Sequence, residues 1–461
     1  MEKAYNNFKL NFNSCIEIRF KDRLISSDTG SLLSREVDDK LGLIESLSAK
    51  IEDHREVGKI YHQLTKLLRQ RIYSIIQGYR DQNDAARLKD DSALAVASSD
   101  KKGEKSIENE LASQVSISRL GLELLSSQAN REKLREALID WTFRYLRARG
   151  GRKLNTATID IDSSGHEVYG DPQGAEYNAY FGCKCYHPLY AFLKETGTML
   201  RAKLRPGNVH SSASAVGFVD NLIDQVRERG SKSVMVRGDA GMVTPEMMDA
   251  LEDKGVKYAF RVKINSRLEA LSTPYLDRIN LEYGDEKLVE LKYQADSWSK
   301  KRRVVLVMVQ NNDELFPDYF FLVTNFGKKK MSGRQLLDFY RQRGTFEALL
   351  GEFKHTIAPK FSSLLFETNE AHLLLFGLSY NLMRIMALMS KPQPIQSETG
   401  VKSIEAYDPI PRLSTVRDML LKVAGRLIRS GRKLIFDVPK TAILWWSRFF
   451  HRLERLNPAP G

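Results

Sequence analysis

The sequence predicts an α/β fold preceded by a helical region, and three observations predict it. Apolar residues recur at helical spacing through much of residues 1–150. At Thr156 the period changes to strand-like alternation. From there the order is a strand carrying aspartates, two strands, a helix, a strand followed by an aspartate, a helix, a block of strands and a long helix. The chain has 461 residues, enough for two or three domains and a sizeable core. The expected division is a helical domain at 1–150, an α/β domain at 151–390 with a β-rich insertion at 257–326, and a basic helical region at 391–461.

In residues 60–79, Leu64, Leu67, Leu68, Ile72, Ile75 and Ile76 form one helical stripe. Residues 97–106 are polar and lysine-rich and read as a loop. Ser113-Gln-Val-Ser-Ile-Ser-Arg119 is similar to the turn and recognition-helix start of helix-turn-helix proteins, where short polar side chains before an Arg suit phosphate and base contact. An ordinary N-capped helix is the other meaning of that string. A basic, aromatic segment at 141–152 closes the region.

Residues 156–162 alternate and are β-branched. Asp160 and Asp162 are two residues apart, so on a strand both point to one face, about 7 Å from each other. Unpaired carboxylates on a buried face are costly, so the pair has a chemical use or sits at a solvated strand end. Residues 177–193 and 197–204 read as two further strands of an antiparallel meander. Residues 211–230 form a helix with Val216, Val219, Leu222, Ile223 and Val226 as its buried stripe. A short strand at 232–237 precedes Asp239, which lies between small residues where a sheet edge presents a ligand, or where a turn forms. Thr244 caps the next helix, with Pro245 at its first position. Four strand-like stretches separated by turns fill 257–326, and a Pro- and Gln-containing linker occupies 391–399.

One stretch organises the rest. Residues 332–355 read as a helix opened by a Ser332/Gln335 capping box, with Leu336, Phe346, Leu349, Leu350 and Phe353 as its apolar face. Tyr340, Arg343, Glu347 and Lys354 fall in a sector of roughly 60° beside that face. Such a helix edge offers a carboxylate for a divalent metal and cations with a phenol for phosphates. A solvated, salt-bridged face is the alternative meaning of the same charges.

The pattern Tyr-x2-Arg-x3-Glu-x6-Lys resembles the signature of DDE transposases from bacterial insertion sequences, in the branch with a β-rich insertion before the catalytic Glu. The resemblance covers about residues 155–390. It implies a ribonuclease-H-like catalytic domain with Asp162, Asp239 and Glu347 as metal-binding catalytic carboxylates. It also implies that Tyr340, Arg343 and Lys354 contact transposon-end DNA. Asp162-Ser-Ser is similar to the family's Asp followed by Ser-Thr, which favours Asp162 over Asp160. Ser164 departs mildly from that string. Ala240 stands where many relatives have Ser, and this leaves the carboxylate intact. The resemblance further implies Mg²⁺ or Mn²⁺, which an all-oxygen ligand set suits. The implied partners are double-stranded DNA, as terminal inverted repeats and target, and a second copy of the chain in the DNA complex. The implied setting is the bacterial cytoplasm, at the nucleoid.

Composition agrees with a polyanionic partner: the net charge is +13, and residues 411–461 hold 11 Lys and Arg against 3 Asp and Glu. In that tail Trp445, Trp446, Phe449 and Phe450 interleave with Arg448, Arg452 and Arg455, which suits packing with partial DNA contact. Arg119 is the candidate DNA contact of the N-terminal region. No run approaches 18 apolar residues, so a membrane span is not expected, and the start lacks the apolar stretch of a signal peptide. Cys183, Cys185 and His187 are too closely spaced and too few for a tetrahedral zinc site. Three functions compete: a transposase performing cut-and-paste DNA transfer, a metal-dependent nuclease or resolvase on the same fold, and a non-catalytic DNA-binding repressor. Three intact carboxylates argue against the last. The β-rich insertion and the Tyr340–Lys354 pattern favour the first.

Overall fold

In the computed structural model, residues 7–10, 13–19, 24–150, 154–276, 282, 285–311, 317–391 and 410–458 are described. Residues 392–399 of the predicted linker, the turn residues Gly284 and Asn312, and Arg152 lie outside them, as does the side chain of Cys15.

The α/β class is observed. Eight strands form one mixed sheet: β1 (Thr156–Ser163), β2 (Leu189–Leu193), β3 (Thr198–Lys203), β4 (Ser233–Gly238), β5 (Lys257–Val262), β6 (Glu286–Tyr293), β7 (Arg302–Val309) and β8 (Asp318–Thr324). Their order is β6-β7-β8-β5-β4-β1-β2-β3. β4 runs parallel to both β1 and β5, and the other pairs are antiparallel. The predicted meander is β1-β2-β3. Residues 177–193 are not one strand, however. Cys183–Tyr186 is the middle strand of a separate three-stranded sheet, between Glu176–Asn178 and His166–Glu167, and only the part after Pro188 joins the main sheet. His187 has both ring nitrogens engaged, with Val209 O at 3.0 Å and Ser163 Oγ at 2.8 Å, which leaves nothing for zinc.

The block at 257–326 extends this sheet: β8 pairs with β5, and β7 and β6 follow outward. It also holds a helix, Ser266–Leu276, that the alternation did not announce. These strands have a structural use. Ala259, Val305, Val307 and Leu322 form an apolar floor under Leu336 and Leu337 of the helix that carries Tyr340.

Alternation along β1 sorts the sheet into two faces. Ile159 and Ile161 pack with Val219, Leu222 and Ile223 of Ala215–Glu228. The opposite face carries Asp160 and Asp162, and there Tyr190 and Phe192 meet Phe346, Phe353 and Tyr380. That second core is shared by distant parts of the chain. α1 (Gln128–Ala148) and α2 (Phe366–Met389) are held together by Arg131 and Arg135, which both pair with the buried Glu370, and by Asn381 Nδ2 donating to Leu138 O. Leu33, Leu68, Leu413 and Phe449 lie in the same cluster. α2 is the one described helix long and apolar enough to cross a membrane, and it is buried within this core. The C-terminal region was expected to be helical. It contains a hairpin, Gly425–Ser430 with Lys433–Asp437, which turns at Gly431 (φ 59°) and pairs with Ile25–Ser26. Basic residues on both strands hid its alternation.

Candidate active site

Two parallel strands place the first carboxylates. The β1/β4 register sets Arg237 opposite Asp160, so the next same-side positions are Asp162 and Asp239. Arg237 is fully buried and grips Asp160 with two bonds, Nε to Oδ1 and Nη2 to Oδ2, both 2.7 Å. Its Nη1 donates to Phe339 O, and the guanidinium lies 4.9 Å from the Phe339 ring centroid. Burial pushes the Asp160 carboxyl up and Arg237 offsets this in part. Asp160 is thus one half of a buried ion pair, with both oxygens engaged. Asp162, one step nearer the strand end, opens into a cleft.

That cleft, of about 440 Å³, is lined by Asp162, Asp239 and Glu347 with Arg261, Tyr340 and Arg343. Asp239 follows β4 in a turn where its Oδ1 accepts from Gly241 N (3.0 Å) and Met242 N (3.2 Å). Burial raises Asp162 to about 6; Arg343 counters it and the like charge of Asp239 adds to it. The helix across the cleft begins at Ser332, where the predicted capping box forms: Ser332 N donates to Gln335 Oε1 at 2.9 Å, and Gln335 N to Ser332 Oγ at 3.3 Å.

The predicted single helix over 332–355 is in fact three pieces: the helices Gly333–Arg341 and Gly344–Glu352 and a π turn, Phe353–Ile357. At the break, Arg343 N bonds Tyr340 O (2.8 Å) and Phe346 N bonds Arg343 O (2.8 Å), a tighter winding beside the poor helix former Gly344. At the far end, Ala358 N reaches five residues back to Phe353 O. Tyr340, Arg343 and Glu347 line the cleft, while Lys354 is half-buried beside it, with Nζ 2.8 Å from Ser164 Oγ. Burial lowers the Lys354 pKa.

Arg343 is buried rather than presented to solvent. It bonds Asp162 through Nη2 and lies 3.1 Å from Glu347 Oε1 through Nη1. The Glu347 side chain is 69% exposed. Among the described residues, no group of three His, Cys, Asp or Glu side chains is gathered tightly enough to hold a metal. The donor chemistry nonetheless fits a hard divalent cation: two neighbouring carboxylates at strand ends, a third across the cleft, and no nitrogen or sulfur ligand.

Arg119 lies far along the chain in the helical region, exposed, 3.5 Å from Glu123 and on the rim of a cleft with His54, Arg55 and Lys59. Its short helix, Gln114–Arg119, is capped by Ser113. Sequence reasoning missed Arg237 and Arg261. Arg237 was findable, since it stands two residues before Asp239 just as Asp160 stands two before Asp162. Arg261 stacks on Phe320 at 5.1 Å, a contact made across strands that no local pattern signals.

The fold and the cleft define an α/β protein that gathers three carboxylates and a group of cations at one edge of a mixed sheet. The sequence matches the family described as Transposase DDE domain group 1 over residues 8–460, and the chain belongs to that family. No curated protein matches it. Among solved structures it is similar to the piggyBac transposase in a synaptic complex with hairpin DNA, at 12% identity over 92% of this chain and 82% of that one, with a TM-score of 0.44. The Mos1 transposase paired-end complex with the left transposon end also matches, at 16% identity over 45% of this chain and 60% of that one, with a TM-score of 0.17.

Proposed function

We propose that this transposase cleaves DNA at the ends of a bacterial insertion sequence and joins the freed ends to target DNA, by cut-and-paste transfer. The observation that carries the reading is the placement of Asp162 and Asp239 at neighbouring strand ends, facing Glu347 across one cleft. The core strand order β3-β2-β1-β4-β5, with three further strands beyond β5, supports a ribonuclease-H-like catalytic domain with an inserted β-rich part. Asp162, Asp239 and Glu347 would hold Mg²⁺ or Mn²⁺, which when bound activates an attacking oxygen and stabilises the leaving 3′ oxygen. The chain's own residues bind and orient the DNA. Tyr340 and Arg261 face the cleft, and Lys354 flanks the Asp162 strand beside Ser164. Two copies would act together on paired ends. Arg119 and its neighbours at 1–150 would recognise the terminal repeats, and the basic tail would hold backbone. Because the core joins 1–150 to α2, that division is to be tested in the full chain by substitution.

The test is a reaction of the full chain with Mg²⁺ and DNA carrying the flanking inverted repeats. Cleaved ends that become joined to target are expected. Cleavage without joining would leave the nuclease or resolvase reading, and binding without cleavage the repressor reading. Lys354→Ala is expected to weaken end binding and to lower the slope of log affinity against log salt by about 0.9, the counterions of one phosphate contact. An unchanged slope would make Lys354 a support for Ser164 only.

A further inference from the structure

Arg343 occupies the space between two of the carboxylates that the proposed chemistry needs for a cation. Its Nη2 bonds Asp162 and its Nη1 lies 3.1 Å from Glu347 Oε1. The guanidinium packs over the Phe346 ring at 5.4 Å, and its side chain is 7% exposed. Its Nε is buried with no hydrogen-bond partner, so one arm of the fork is unused. Arg261, on the same cleft, is exposed and makes no ion pair among the described residues. The two cations therefore have different work.

We infer that Arg343 is a positioning residue: it serves as internal counter-ion to Asp162 and Glu347 and competes with the divalent cation for them, so that DNA phosphate must draw it away before the cation binds tightly. This rests on the transposase reading. A planar guanidinium can bridge two carboxylates at once, which a point charge on a flexible stem does poorly. The same fork fits a phosphate, and the unpartnered Nε gives it a donor to offer. Because binding couplings are reciprocal, DNA then tightens cation binding and the cation tightens DNA binding. The carboxylates stay held apart from the cation until substrate is present, which guards against cleavage elsewhere.

The experiment measures Mn²⁺ binding by the full chain, with and without duplex carrying the terminal repeat. The proteins are the wild type, Arg343→Ala, Arg343→Gln, Arg343→Lys and Asp162→Asn. Without DNA, Arg343→Ala and Arg343→Gln are expected to bind Mn²⁺ about tenfold more tightly than wild type, since a neighbouring positive charge has been removed. Arg343→Lys is expected to fall back towards wild type. DNA is expected to raise Mn²⁺ affinity more in the wild type than in Arg343→Gln. An affinity in Arg343→Gln equal to or below wild type, in protein that melts as wild type does, overturns the inference. Should Arg343→Ala not fold, Arg343→Gln decides alone, because it keeps hydrogen-bonding capacity without the charge. If Asp162→Asn binds Mn²⁺ as tightly as wild type, the cation is not at the carboxylates, and the transposase chemistry itself fails.

Discussion

Asp162→Ala, Asp239→Ala and Glu347→Ala are each expected to lower end cleavage at least about a thousand-fold, while end binding persists. The physical case is that the carboxylates come from three separate elements and converge on one cleft. None of them caps a helix or neutralises a buried cation alone: Arg343 spans Asp162 and Glu347 and keeps one partner when the other is removed. Loss of any one should therefore cost chemistry and little stability. The measurement pairs single-turnover cleavage with gel-shift binding on the same DNA. If the Asp239 variant cleaves at the wild-type rate, the assignment of this cleft is wrong.

The second large effect is on folding. Asp160→Ala is expected to destabilise the chain by about 3–5 kcal/mol, because it leaves the wholly buried Arg237 unpaired. Arg237→Ala acts from the other side by stranding a buried carboxylate. Exchanging both for apolar residues of similar volume, as in Asp160→Leu with Arg237→Met, should be far milder than either single change, since no lone charge then remains. Urea denaturation of the three variants checks this. A double variant as damaged as the sum of the singles would mean that the sheet needs the pair for more than charge balance. Two aspartates two residues apart thus separate by experiment: Asp160 reads out in stability, Asp162 in cleavage.

Local pattern carried a good part of this protein. The period change at Thr156, the Thr244 and Ser332 caps and the order of strands and helices are legible because each depends on residues a few positions apart. The common side of Asp160 and Asp162 needed only the period of a strand. Membership among DDE transposases was legible as well, through a resemblance carried by a few residues, and the match over residues 8–460 agrees at the level of the DDE domain. What sequence could not show depends on contacts between distant residues. The partner of Asp160 is 77 positions away and is set by the parallel register of β1 and β4. The division of residues 332–355 into two helices and a π turn, with changes of pitch at Gly344 and after Glu352, is something an ideal 100° per residue cannot anticipate. The joining of residues 1–150, α2 and the tail into one core follows from which apolar faces meet, and an amphipathic stripe states only that some face must cover it. Spacing alone placed Arg343 on a helix edge. Whether it meets solvent, phosphate or carboxylate was decided by what lies across the cleft, and there the strand ends bring Asp162 within its reach.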